Sequence, residues 1–114
     1  MLPKQYRLTK NKDFARVAQQ GKVIFSHVLN LKYIKNNLNY SRFGIIVSLK
    51  VSKKAVIRNK IKRRIRAILK ENLFNIIQNY DFMILTKSGI ENLDYSQIKS
   101  ILLKLFQKQN LIKP

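Results

Sequence analysis

Residues Arg58-Asn59-Lys60-Ile61-Lys62-Arg63-Arg64-Ile65-Arg66 have few ways of belonging to a folded domain, because six of the nine are permanently cationic. The two isoleucines stand four apart, on one side of any helix. A helix can anchor this run by one stripe and leave its charge in water. The stripe continues in both directions: Ile57, Ile61, Ile65, Ile68 and Leu69 fall within roughly 120° on a helical wheel. Ser52 is a good N-cap, so the spacing predicts a helix from Lys53 to about Asn72. Lys60, Lys62, Arg63, Arg64, Arg66 and Lys70 surround the side opposite Ile61, with Asn59 among them.

This charge is not balanced within the chain. The sequence carries 24 Lys/Arg against 5 Asp/Glu, a net charge of +19 over 114 residues. Residues 1–80 hold 19 of the cations against Asp13 and Glu71 alone, a net of +17. With no acid between Asp13 and Glu71, i,i+4 pairing cannot neutralise the helix. Such self-repulsion costs stability and points to an anionic partner, whereas a solvated basic face would ordinarily be interleaved with acids. A lipid surface is a poorer candidate, since the basic helix has a narrow aliphatic stripe and no aromatic residue to insert. Nucleic acid fits better. Arginine grips two phosphate oxygens at once, lysine supplies a point charge, and Asn59 can reach a 2′-hydroxyl or a base edge.

The rest of the chain reads as a small α+β domain spanning 1–114, with its core at about 6–108. At 46% hydrophobic residues it is too apolar for a disordered basic tail. Lys10 to Gln20 reads as a helix with Asn11 as candidate N-cap, and Lys22 to Lys35 as strand, with room for an extra strand near Lys22–Phe25. Asn36 to Asn39 turns, and Tyr40 to Lys50 is a second strand in which Gly44 marks a close approach to the backbone. Asp81 to Thr86 is mostly apolar, as a mid-sheet strand would be. Asp94, with Gln97 three residues on, forms a capping box for a final helix striped by Ile98, Ile101, Leu102, Leu105 and Phe106. The order α-β-β-(β)-α-β-α makes a layered fold. No cysteine is present, no apolar run approaches the roughly 18 residues that span a bilayer, and no apolar segment follows the basic N-terminus, so a cytoplasmic setting is expected.

Groups for protein-borne catalysis are scarce. His27 is the only histidine, and a strand histidine is usually a surface or packing residue. Asp13, Glu71, Asp81, Glu91 and Asp94 are scattered, whereas nuclease metal sites gather carboxylates. The glycines at 21, 44 and 89 form no phosphate loop. Phe14 carries a different signal, because Lys10, Lys12 and Arg16 flank it and an aromatic among cations suits an unpaired base under a phosphate grip. Packing of Phe14 on the sheet is the competing reading.

These residues resemble the protein subunit of bacterial ribonuclease P. The family signature Arg-Asn-Arg-x-Lys-Arg-x-x-Arg is matched by Arg58, Asn59, Lys62, Arg63 and Arg66, with Lys60 at the middle arginine. Arg7-Leu8-Thr9-Lys10 with Asp13-Phe14 and Gly21 looks like the family's N-terminal element. Arg42-Phe43-Gly44 with Val47-Ser48, and Asp81 with the apolar residues after it, look like the strands on either side of the motif. The resemblance implies a two-layer α/β sandwich akin to a ribosomal-protein domain, with a left-handed βαβ crossover. It implies a protein without its own active site, assisting a catalytic RNA that removes the 5′ leader of precursor tRNA with Mg²⁺ held mainly by that RNA. No membrane or obligate protein partner is implied. Arg58, Asn59, Lys60, Lys62, Arg63 and Arg66, with Lys50, Lys53 and Lys54 of the adjoining loop, would face the RNA subunit. Phe14, Lys10, Arg16 and Lys32 would line a cleft for the leader. Ala18 stands where many members place a second cleft aromatic, Lys32 aligns with a cleft tyrosine while Tyr33 lies one position off, and Leu49 replaces a common lysine.

Three other readings share parts of this pattern. A ribosomal or other structural RNA-binding protein would have the same charge and no role in cleavage. A DNA-binding regulator would need a helix-turn-helix pair where the chain reads as strand. A protein-only nuclease would need the clustered acids that this sequence lacks.

Overall fold

The apolar segment that follows Asp81 becomes the middle of a four-stranded sheet. In the computed structural model, which describes residues 2–113, strand β4 (Tyr80–Thr86) lies between β2 (Leu29–Lys35) and β3 (Arg42–Ile46), and β1 (Lys22–Phe25) completes the order β1-β2-β4-β3. The helices are α1 (Asn11–Gln20), α2 (Ala55–Glu71) and α3 (Tyr95–Lys108). β2 pairs antiparallel with both β1 and β4, while β3 and β4 are parallel neighbours joined through α2. β3, α2 and β4 thus form a βαβ unit.

Strand alternation assigns the two faces. Leu29, Leu31, Tyr33, Phe43, Phe82 and Ile84 point to one side, where Ile61, Ile65 and Ile68 of α2 and Ile98, Leu102 and Phe106 of α3 cover them. Phe82 is stacked on Phe43 with centroids 5.3 Å apart and meets Phe106 edge-on at 5.1 Å. The opposite face carries Met83, Ile34 and Leu85 under Val17 and Phe14 of α1, with Leu8 beside them. The sandwich therefore has a partial third layer made by α1. The main core also takes in Leu2 and Leu111, each almost fully buried, so packing extends past residues 6–108 on both sides.

Several element boundaries differ from the sequence reading. The extra strand allowed for near Lys22–Phe25 is present as β1, and Ser26 closes the turn to β2: its amide donates to the Leu29 carbonyl at 3.0 Å and its hydroxyl accepts from the Leu29 amide at 3.1 Å. Asn11 is the first residue of α1, and Lys10 holds the N-cap position with no side-chain cap. Ser52 lies before the N-cap of α2, which is Lys54, and its hydroxyl accepts from the Lys54 amide at 3.2 Å. β3 is shorter than Tyr40–Lys50, because Val51 donates back to Ser48 and turns the chain toward α2. The Asp94–Gln97 capping box is present in both directions, at 2.9 and 3.0 Å.

Two local features fix how α1 sits on the sheet. Asp81, without exposed surface, accepts from Arg42 at 2.9 and 2.8 Å and from Asn36 at 2.9 Å, and pairs with Arg16 at 3.5 Å. Arg42 also reaches Asp13 of α1 at 3.3 Å. Hydrogen bonding to Asp81 is the chief reason that the Arg42 guanidinium is held above its ordinary pKa. The second feature is Gly44, where a Cβ would lie 2.7 Å from Phe14 Cζ, so the Phe14 ring rests directly on backbone.

Asp81→Asn is expected to cost about 3 kcal/mol in urea denaturation, because it leaves two cations with an incomplete partner. A double-mutant cycle with Arg42→Met should show coupling of roughly 1–3 kcal/mol; strict additivity would mean that the pair is energetically idle. Gly44→Ala should cost about 1–3 kcal/mol by displacing Phe14. An unchanged urea midpoint would show that the ring does not bear on the strand.

Candidate nucleic-acid interface

α2 is held to the sheet by Ile61, Ile65, Ile68 and Leu69, and its remaining surface is cationic. Asn59, Lys60, Arg63 and Lys70 are exposed, as are Lys50, Lys53 and Lys54 in the preceding loop. Arg58, Lys62 and Arg66 are half-buried. Arg58 donates to the Ser52 carbonyl at 2.9 Å and so braces the loop that carries Lys53 and Lys54. Arg64 donates to the Leu93 carbonyl at 3.0 Å, fixing the turn ahead of α3. Two of the cations around Ile61 thus hold backbone while their charge stays on the surface.

The acids explain why the rest of this charge is unmatched. Asp13 and Asp81 are engaged by Arg42. Glu71 accepts from Tyr95 and pairs with Lys99 at 3.4 Å. Burial, and then the hydrogen bond to Glu71, push the Tyr95 hydroxyl up to about 12. The same hydrogen bond is the main reason that the Glu71 carboxyl lies below its ordinary value. Glu91 accepts from the Gly89 amide, and Asp94 caps α3. Among the described residues no carboxylate lies within ion-pair distance of a cation of α2 or of the 50–54 loop.

At the β3 edge of the sheet, Leu8 donates to the Phe43 carbonyl at 2.8 Å and lays the N-terminal segment alongside the strand. A cavity of about 290 Å³ opens there between Arg7, Phe14, Gly44 and Arg66. Burial, and then the neighbouring charge of Arg7, hold the Arg66 guanidinium below its ordinary pKa. Arg7 uses its Nε on the Leu2 carbonyl at 2.9 Å. This corner joins the basic helix to the side of the sheet covered by α1.

The residues assigned to a cleft share that side but are not equally available. Phe14 is half-buried, with its ring down on Gly44, which is the packing reading of this residue; its position at the cavity mouth also keeps it at the cleft. Lys10 is exposed at the head of α1. Arg16 stays partly exposed while it pairs with Asp81 and donates to the Lys35 carbonyl. Lys32 donates to the Ala18 carbonyl at 3.1 Å and so ties β2 to α1. His27 is exposed in the β1–β2 turn. Two residues at this surface were not picked out as site residues from the sequence, Arg7 and Phe25. Phe25 alternates with Ile24 in β1, but the face it takes depends on the hairpin register with β2.

Comparison with known proteins agrees with this architecture. The ribonuclease P family model matches residues 2–110. The ribonuclease P protein component of Dictyoglomus turgidum is 35% identical over 113 residues, covering 97% of this chain and 94% of its own. That of Fusobacterium nucleatum is 38% identical over 109 residues, covering 92% and 97%. Among solved structures, the Staphylococcus aureus RNase P protein superposes with a TM-score of 0.87 at 28% identity, covering 95% of this chain and 98% of that one. The Thermotoga maritima RNase P protein gives 0.82 at 29% identity, covering 90% and 96%. The chain belongs to the bacterial ribonuclease P protein family, whose members are the protein component of the ribonucleoprotein that matures the 5′ end of tRNA.

Proposed function

We propose that this protein docks on the catalytic RNA of ribonuclease P through the exposed side of α2 and the 50–54 loop, and holds the 5′ leader of precursor tRNA along the side of the sheet next to α1. The observation that carries this reading is the allocation of charge. Every Asp and Glu already has a structural partner, so the cations of α2 are left for an external polyanion. Arg63, Arg66, Lys60 and Lys62 would contact phosphates, and Asn59 a 2′-hydroxyl or base edge. By screening the repulsion between two RNAs, they would raise substrate affinity at modest Mg²⁺.

Bond cleavage would belong to Mg²⁺ bound by the RNA. Among the described residues no group of three or more His, Asp or Glu could hold a metal ion, and the carboxylates are engaged elsewhere. The donor set of the protein therefore does not fit a catalytic metal, and its role is binding and electrostatic screening.

Reconstitution tests this directly by comparing precursor-tRNA cleavage by the RNA alone, the protein alone and both together. The combination should exceed the RNA alone at low Mg²⁺, and the protein alone should cleave nothing. Cleavage by the protein alone would overturn the assignment, and absence of stimulation would favour a purely structural RNA-binding role. Arg63→Ala with Arg66→Ala should depress cleavage far more at low Mg²⁺ than at high Mg²⁺. It should also flatten the log–log salt dependence of RNA binding by about 0.7–0.9 for each phosphate no longer neutralised. Equal loss at both Mg²⁺ levels would contradict the screening role.

A further inference from the structure

The cleft side of the sheet does not end where α1 stops covering it. In register across the strands, Ile34, Asp81 and Arg42 form one row, and Lys32, Met83 and Gly44 the next, both next to α1. The following row runs Phe25, Asn30, Leu85, Ile46. Its ends are open, with Phe25 65% and Ile46 38% exposed. A lone exposed phenylalanine is ordinary on a protein surface. Phe25 has particular company. Lys87 Nζ, held by the Ser26 carbonyl, sits 5.9 Å from the Phe25 ring centroid. The cross-strand neighbour Asn30 buries its Oδ1 with no hydrogen-bond partner, the one such side-chain atom among the described residues.

An exposed ring with an ammonium group over it offers two elements that a nucleotide engages, through its base face and its phosphate, while the enclosed Asn30 Oδ1 lies out of its direct reach. We infer that Phe25 is a base-stacking position for an upstream nucleotide of the 5′ leader, with Lys87 on the adjacent phosphate. The inference rests on the proposed path of the leader next to α1. The direction follows from the sheet order. Phe14 lies over β3, beside the edge where Arg7 and Arg66 meet, whereas β1 is three strand spacings away, about 14 Å. If the catalytic RNA lies on α2, leader nucleotides near the cleavage site pass Phe14, and those further upstream reach Phe25. Phe25 would thereby supply, at another place on the surface, stacking that Ala18 does not.

The test uses reconstituted holoenzyme and precursor tRNAs with leaders stepped from short to long, together with long leaders carrying 2-aminopurine at single positions. Wild-type affinity should rise with leader length to a plateau. Phe25→Ala should bind the longest leaders about 5-fold more weakly, at the lower end of the effect of one stacked base, and the shortest leaders unchanged. Phe25→Trp should restore affinity, and one upstream 2-aminopurine should be quenched by wild type but bright with Phe25→Ala. Because Phe25 is exposed, its urea midpoint should match wild type, which separates stacking from folding. Equal binding of long leaders by Phe25→Ala and wild type would overturn the inference, as would equal loss for short and long leaders. If wild-type affinity depends on leader length and only Phe14→Ala removes that dependence, Phe25 fails while the leader path stands. If wild-type affinity is indifferent to leader length, the path itself fails, and Phe25 with it.

Discussion

Asp81 keeps a carboxylate in the interior only because Arg42, Asn36 and Arg16 surround it. The cost of burying that charge is offset by these donors, and each comes from a different element: β3, the loop after β2, and α1. Net stabilisation from such a pair is modest, but its geometric demand is strict. Arg42 stands opposite Asp81 in the parallel β3–β4 register, and a slip of one residue would send its side chain to the α2 side of the sheet. The hub therefore sets the register of β3. Through Asp13 and Arg16 it also sets the position of α1, and hence the wall of the cleft.

The scarcity of acids governs the rest of the charge. Five acids serve a hub, a cap and two local ties, which leaves the basic helix and its loop uncompensated. Within that helix the cations divide by what they reach. Arg58 and Arg64 brace carbonyls, Arg66 lines a cavity with Arg7, and Lys60 and Arg63 extend into solvent. The helix thus serves as a structural crossover on one stripe and presents a cationic surface on the others.

Helices and strands were legible in the sequence wherever the deciding forces are local. Isoleucine spacing places α2, the Asp94–Gln97 pair starts α3, and the apolar run after Asp81 identifies the central strand. The exact helix starts were less legible, because Asn11 and Ser52 are good caps by type but the chain enters each helix by another residue. The candidate cleft residues could be named from the sequence, but their arrangement could not. Lys32 and Arg16 read as lining residues of the leader cleft, and in the fold one also ties β2 to the Ala18 carbonyl and the other pairs with Asp81. Phe14 reads as either a base platform or a packing residue, and its contact with Gly44 makes it a packed wall at the mouth of the cleft.

By itself the sequence determined that the chain makes a small α+β domain with one overwhelmingly basic helix, because helical periodicity and the absence of nearby acids are properties of neighbours in the chain. It also carried the family pattern in Arg58, Asn59, Lys62, Arg63 and Arg66. Only the tertiary structure decided which cations are engaged by groups of the fold and which extend from its surface, because that depends on residues such as Arg42 and Asp81, adjacent in space and 39 apart in sequence. It also decided that Phe25 faces the same side as Phe14, since a strand residue acquires a face only when its register with the next strand is fixed.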